Sequence, residues 1–419
     1  MNRAIVKSVS NQQSIPQKRT VPAMSDFRIT DIETYTVSAG WKNWLFVKVC
    51  TDGGLHGIGE ATMNGFVKTT EAAIQELAHF ALGKDPRQVN AITQSMLETI
   101  QDAGHINRLA AAAIETACWD ILGKSLGVPI WQLLGGKFRD SVLAYANGWY
   151  RTERTPEHFV RVAETVVAMG FKAIKLDPFG SARWFSGDAD VDTAYDILSA
   201  LRSRFGPELK ILVDVHCRFA PGESIRIAQR MAPLKIFWWE EPTTAEREEL
   251  TNEIAAQCPI PVATGEQFDK IGRFETLARG GHVSIFQPEP MSLGGITNTI
   301  AVANIARANG AMIAPHQSGG PVATAVCLQL AACVPNFLIQ EHFDPFNEPW
   351  TRELVTWMPT INPENGHINI PTAPGLGIDL NLDVVRAHPY DPKSFFDVSR
   401  EGWEKRLGTR DQENDNIQG

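Results

Sequence analysis

Apolar and polar positions along this 419-residue chain fall into three successive patterns. From Phe27 to about Cys50 they largely alternate, with Ile29, Ile32, Tyr35, Val37 and then Leu45, Val47 and Val49 on the apolar side. Alternation of period two predicts an antiparallel hairpin, looped through Ser38–Trp44, with a third short strand near Glu60. A helical period then takes over at 70–82, 89–102 and 107–126. Strands first and helices after make residues 26–138 an α+β unit.

From Ser141 onward, short apolar runs alternate with amphipathic stretches. Strands are expected at 142–146, 173–176, 210–215, 236–239, 261–263, 283–287, 312–314 and 337–340. Seven helices are expected between them. This order predicts an α/β fold, a (β/α)8 barrel of the TIM type over residues 139–341. An open doubly wound sheet would begin with a Gly-rich phosphate loop, and none is present. Residues 342–403 are rich in Pro, Asn and Trp and are expected to pack back on the N-terminal unit as part of a cap. Residues 1–25 read as a disordered extension, with Met24 as a candidate start, and residues 404–419 as a polar tail.

Composition acts mainly by exclusion. A net charge of −9 argues against a nucleic-acid binder and against an anionic membrane surface. No apolar run approaches the roughly 20 residues a spanning helix needs. Six cysteines without a CxxC pair suit a reducing, cytoplasmic setting.

The chemistry collects at the ends of predicted strands. Asp214 closes the run Ile211-Leu-Val213, Glu240 closes Ile236-Phe-Trp-Trp239, and Glu266 follows Pro261-Val-Ala-Thr-Gly265. The same 26-residue interval separates each pair, the length of one β/α unit. Three carboxylates on one barrel rim are a natural cage for a hard cation, and oxygen ligation favours one Mg²⁺ per subunit. The other strand ends carry Lys175, Asp177, His216, Arg218, Glu241, Glu289, His316 and Glu341. A purely structural barrel has no need of ionisable groups at nearly every strand end. Cys217, beside Asp214, reads as a small buried hydrophobe or as a nucleophile.

These motifs resemble the enolase superfamily, mandelate racemase subgroup, from about Phe27 to Asp391. The likeness rests on Ala173-Ile-Lys-Leu-Asp-Pro-Phe179, Val213-Asp-Val-His-Cys-Arg-Phe219, Trp239-Glu-Glu-Pro242 and Thr264-Gly-Glu266. It extends through Gln287 to Thr297, Ala314-Pro-His316, Ile339-Gln-Glu341, and upstream through Ala117 to Lys124 and Gln132 to Lys137. The resemblance implies a capping domain over a modified barrel, Mg²⁺ on Asp214, Glu240 and Glu266, and removal of a proton α to a carboxylate. An enediolate formed that way carries two negative charges, which a divalent cation and nearby cations stabilise.

By the same resemblance, Lys175 neutralises the substrate carboxylate, and Glu341 hydrogen-bonds that carboxylate or the developing enediolate. His316 is the general base, oriented by a strand-six acid that is Glu289 here where the family has Asp. Asp177 stands where racemases carry a second lysine, which argues against a two-base racemase. His216 matches the general acid of sugar-acid dehydratases of the galactonate dehydratase type. Asp177, Arg218, Trp44 and Trp184 are further candidates for substrate contact, with Trp41, Lys42 and Asn43 in the first loop and the loop 180–188 as possible walls. The expected activity is dehydration of an aldonate or aldarate to a 2-keto-3-deoxy acid. A cycloisomerase or epimerase of a related acid or lactone would share the first step, and a sugar-acid binding protein without turnover is the remaining alternative. The expected partner is a small-molecule sugar acid, and the family habit implies a homo-oligomer, a dimer or an octamer.

Overall fold

The structure, a computed structural model, describes residues 27–62, 66–99, 104–397 and Trp403. The expectations for residues 1–25, Met24 and 404–419 lie outside the described residues.

The N-terminal cap begins with an antiparallel sheet of β1 (Ile29–Ser38), β2 (Asn43–Thr51) and β3 (His56–Glu60), paired in that order. Helices α1 (Val67–Leu77), α2 (Val89–Thr99) and α3 (His105–Leu126) follow. Strand β3 lies almost directly on the α3 backbone. A Cβ at Gly59 would stand 2.0 Å from the Ala113 carbonyl oxygen, and one at Gly57 would be as close to that of Ala117. Only glycine admits that approach, and even an alanine there would force the sheet off the helix.

A short turn of helix, α4 (Ile130–Leu133), leads into the barrel. Its eight parallel strands are β4 (Ser141–Ala146), β5 (Ala173–Leu176), β6 (Lys210–Asp214), β7 (Trp238–Glu240), β8 (Val262–Thr264), β9 (Ile285–Phe286), β10 (Met312–Ile313) and β11 (Gln340–His342). Between them run α5 (Pro156–Ala168), α6 (Asp188–Phe205), α7 (Pro221–Met231), α8 (Glu248–Ala255), α9 (Ile271–Gly280), α10 (Ile296–Ala308) and α11 (Pro321–Cys333). Local chemistry sets these helices. In α5, Pro156 starts the first turn, the Thr155 hydroxyl caps the His158 N–H, and Phe159, Ala163 and Val166 form the buried stripe.

The last strand differs from the sequence expectation of 337–340. The Ile313 N–H of β10 donates to the Asn336 carbonyl at 2.8 Å and the Leu338 N–H donates to the Ile313 carbonyl at 2.7 Å, while only residues 340–342 pair with β4. The segment therefore changes partner part-way and joins the two ends of the sheet through the Ile313–Phe337 bridge.

Period-two alternation decides what enters the barrel. Tyr145, Ala173, Leu212, Trp238, Ala263, Ile285, Ala314 and Ile339 form one interior cluster, large rings set against small residues. Two positions further along β5, β6 and β7 on the same face come Lys175, Asp214 and Glu240. Intervening residues such as Ile211, Val213 and Trp239 join the larger cluster between strands and helices.

Helix α11 has all 13 residues buried. It is apolar around its circumference because barrel packs on one side and cap on the other, where Ala323 joins the cap's own apolar cluster. Beyond the barrel, β12 (His367–Asn369) pairs antiparallel with β4, a strand too short to show in the hydrophobic pattern. Helix α12 (Leu382–Ala387) leads to Asp391 and Ser394, whose carbonyls accept from the Asn43 amide of the cap at 2.8 and 2.9 Å.

Candidate active site

The strand ends meet at a cavity of about 140 Å³. Asp214 and Glu240 are register partners on adjacent strands, so their carboxylates leave the sheet side by side. Glu266 follows β8 after Gly265, whose φ of +132° turns the chain over the rim. Ligand oxygens from these three acids lie within 4.8 Å of one another, close enough for one cation to touch all three. Their electrostatics match that use. Burial and the charge of Asp214 push the Glu240 carboxyl far above the ordinary carboxylate range. Burial acts the same way on Asp214, but the His216 and Lys175 charges overcome it and hold that carboxyl low. A crowded, buried, all-oxygen set fits a divalent metal ion.

Lys175 is buried inside this group. Its ammonium lies 2.6 Å from Glu240, 3.1 Å from Asp214 and 3.1 Å from Glu341. Burial alone would favour neutral lysine, yet the surrounding carboxylates keep it charged. Glu341 also accepts from the Asn147 amide at 2.7 Å and the Gln317 N–H at 2.8 Å. Glu240 and Glu341 are fully buried and do not themselves line the cavity.

Two histidines face the cavity, each with a carboxylate behind it. His316 Nδ1 donates to Glu289 at 2.7 Å, and its Nε2 stands 3.6 Å from Glu266. The longer glutamate reaches the ring, and it is steadied by the Met291 N–H at 3.1 Å. Burial opposes charge on His316, but Glu266 and the Glu289 hydrogen bond raise its pKa to about 10. His216 Nδ1 donates to Asp177 at 2.7 Å, and its Nε2 lies 3.5 Å from Asp214. Burial again opposes charge, and Asp214 with Asp177 overrides it, raising the His216 pKa.

Strand alternation does not explain how His216 reaches the cavity. The strand ends at Asp214, and His216 and Cys217 take φ of +50° and +57°. Left-handed backbone at two successive non-glycine residues is strained, and strain of this kind concentrates at functional sites.

Four sequence candidates for substrate contact stand elsewhere. Asp177 is buried behind His216, held by the Arg218 guanidinium and the Phe179 N–H. Arg218 is spent on Asp177 and the Gly180 carbonyl, tying its own loop after β6 to the loop after β5. Trp44 is buried against Phe46 and Gly320, because the first loop folds into the seam between cap and barrel. Trp184 is 66% exposed and does not line the cavity, since its backbone bonds with Arg218 and Ala220 turn the loop outward. Cys217 does line the cavity, and burial with Glu241 pushes its thiol pKa well up, which favours the neutral thiol over the thiolate.

The sequence reading missed most of the remaining wall. Trp41 of the first loop was on the list of possible walls; Tyr150, Phe343, Phe396 and Trp403 were not. Isolated aromatics in irregular segments carry no periodic signal, and only the folded chain brings them together.

The matched families follow the same division of the chain. Residues 23–135 match the mandelate racemase / muconate lactonizing enzyme N-terminal domain, and residues 158–384 match the enolase C-terminal domain-like family. The chain belongs to the enolase superfamily. Among curated relatives, D-galactonate dehydratase of Klebsiella pneumoniae (strain 342) is 32% identical, over 85% of this chain and 93% of that one. D-galactonate dehydratase of Pectobacterium atrosepticum is 34% identical with the same coverage of both chains. Among solved structures, a mandelate racemase/muconate lactonizing enzyme from Jannaschia sp. CCS1 superposes with a TM-score of 0.80 at 32% identity, covering 87% of this chain and 98% of that one. An enolase superfamily member from Salmonella Typhimurium gives 0.82 at 26% identity, covering 87% and 98%. Like these enolase superfamily proteins, the chain sets an antiparallel cap sheet beside a parallel barrel. Among the described residues no helix is long and apolar enough to cross a membrane.

Proposed function

We propose that the protein is a Mg²⁺-dependent dehydratase of a sugar acid. The observation that carries the reading is the pair of carboxylate-backed histidines, one beside Asp214 and the other beside Glu266. Elimination of water needs a base at C2 and an acid at the departing 3-hydroxyl, and two independently tuned histidines supply both. The similarity to D-galactonate dehydratases supports the same choice.

Asp214, Glu240 and Glu266 would hold the metal. Bound there, Mg²⁺ would supply positive charge beside the substrate carboxylate and offset the Glu266 charge that favours protonated His316. His316 Nε2 takes the proton from C2, with Glu289 fixing the ring through Nδ1. Lys175 lends its charge to the substrate carboxylate, and Glu341 holds Lys175 and Asn147 in position. His216, held at Nδ1 by the Asp177 carboxylate, gives its Nε2 proton to the 3-hydroxyl as water leaves. The enol that remains tautomerises to a 2-keto-3-deoxy acid. A two-base racemase would need a second proton carrier at position 177, which here is a buried aspartate.

The test is a screen of the Mg²⁺-loaded protein against aldonic and aldaric acids, with semicarbazide capture of 2-keto-3-deoxy products. One strong substrate, lost in His316→Asn and in Glu240→Gln, is the expected result. Exchange of the C2 proton in D₂O without any keto acid would shift the reading to a cycloisomerase or epimerase. Neither product nor exchange would leave a binding protein.

A further inference from the structure

The cavity has two unlike halves. Asp214, Glu266, Lys175 and the two histidines form one half. The other is a continuous series of aromatic rings from separate parts of the chain. Tyr150 meets Trp403 at 6.5 Å, Trp403 meets Phe396 at 5.9 Å, Phe396 meets Trp41 at 4.9 Å, and Trp41 meets Phe343 at 6.1 Å. All five line the cavity. Trp403 also stands edge-on to His216, 5.3 Å between ring centres, so the collar begins where the acid half ends.

The polar atoms of the two indoles are turned out of the cavity. Trp41 Nε1 donates to Asn347 and Trp403 Nε1 to the Gly180 carbonyl, each at 3.3 Å, and neither acceptor lines the cavity. Positive charge is equally one-sided. Among the described lining residues the cationic side chains are Lys175, His216 and His316, all at the triad. Lys42 does not line the cavity; its ammonium lies over the Trp41 ring and donates to the Ser318 carbonyl. Arg151, next to the collar residue Tyr150, does not line the cavity; its Nε and Nη2 are buried without a hydrogen-bond partner, and Glu348 is the opposite charge acting on it.

We propose that the aromatic collar makes the site selective for monocarboxylic sugar acids and rejects diacids, with Phe396 and Trp403 as specificity-determining residues. This rests on the dehydratase reading, which orients one carboxylate toward Lys175 and the metal site and sends the far end of the substrate to the collar. A second carboxylate there would lose its water, meet aromatic rings and find no cation among the described lining residues of that half. Of the five collar side chains only Tyr150 and the two indoles carry polar groups, and the indole N–H groups are already bonded elsewhere, so a terminal-deoxy acid loses little. A site that read the terminal hydroxyl by hydrogen bonding would reject the deoxy acid by orders of magnitude.

The test compares kcat/KM of the Mg²⁺-loaded protein on a hexonate, its 6-deoxy analogue and the hexarate of the same configuration at C2 to C5. The expected order places the 6-deoxy acid within about tenfold of the hexonate and the hexarate at least about a hundredfold below. Phe396→Arg, which sets a guanidinium in the collar, narrows the hexonate-to-hexarate gap at least about tenfold, whereas Phe396→Leu keeps it. Equal turnover of the diacid by the unaltered protein overturns the proposal, as does a hexarate preference untouched by Phe396→Arg. If no acid is turned over and no C2 exchange occurs, the dehydratase reading fails first. The collar is then judged by calorimetric binding of gluconate and glucarate: tighter gluconate binding supports it, and equal, reversed or absent binding overturns it.

Discussion

The Asp177 carboxylate lies 2.7 Å from Nδ1 of His216, at the position where a two-base racemase carries its second lysine. Under the proposed mechanism the position no longer moves a proton itself but holds a residue that moves one. Asp177→Asn should therefore weaken elimination by about tenfold or more, the usual scale for an orienting carboxylate. Exchange of the C2 proton in D₂O, which depends on His316, should continue near its original rate. Proton NMR of the substrate beside a keto-acid assay reads both steps in one sample, and an equal loss of both would refute the assignment.

Glu289 and His316 make the complementary case. Glu289→Gln keeps the length of the side chain but removes the charge that supports the ring. Exchange and elimination should fall together, by roughly ten- to a hundredfold. Glu289→Asp should also lose rate, because the backbone here is set for the longer side chain anchored by the Met291 N–H. A faster Asp variant would mean that Glu289 compromises the base.

Metal binding should appear as stability before it appears as turnover. A ligand at about one hundred times its Kd adds about 2.7 kcal/mol to a native state that binds it alone. Mg²⁺ should raise the thermal midpoint of chelator-treated protein, and Glu240→Gln should reduce or abolish that rise. Calorimetric scans with and without Mg²⁺ decide the matter independently of any substrate.

Glu60 supplies a pH signature. It is buried, and although hydrogen bonds from Thr62, Gly320 and Ala323 favour its charge, burial dominates and raises its pKa to about 7. A carboxyl raised in the folded state binds a proton that the unfolded chain has released between about pH 4.5 and 7. Its contribution to stability therefore falls as pH rises through that window. The stability of the unaltered protein relative to Glu60→Gln should decline by roughly 3 kcal/mol from pH 4.5 to 7 and then level off. Urea unfolding of both proteins across that range gives the difference directly, and a flat difference would show that Glu60 stays ionised throughout.

Much of this was legible in the chain itself. Strand-end carboxylates at equal intervals identified Asp214, Glu240 and Glu266 as neighbours, because barrel geometry converts sequence period into spatial position. Ala314-Pro-His316 and Lys175 were found on the same grounds. What periodicity could not supply was the direction of side chains beyond a strand's last residue. Arg218 and Asp177 follow loops whose course depends on left-handed residues, so they pair with each other behind His216. Phe396 and Trp403 lie in irregular sequence more than 170 residues from His216, and no local signal ties them to the site.

Glu60 also has a part in the architecture. From the cap it accepts the Gly320 N–H and, at 2.9 Å, the Ala323 N–H, at the start of the fully buried α11 and just after the loop that holds His316. Cap and barrel are therefore not interchangeable modules. A chimera joining this barrel to a relative's cap would replace the Glu60 anchor beside the His316 loop, so β3 and that loop are best carried over from the same parent.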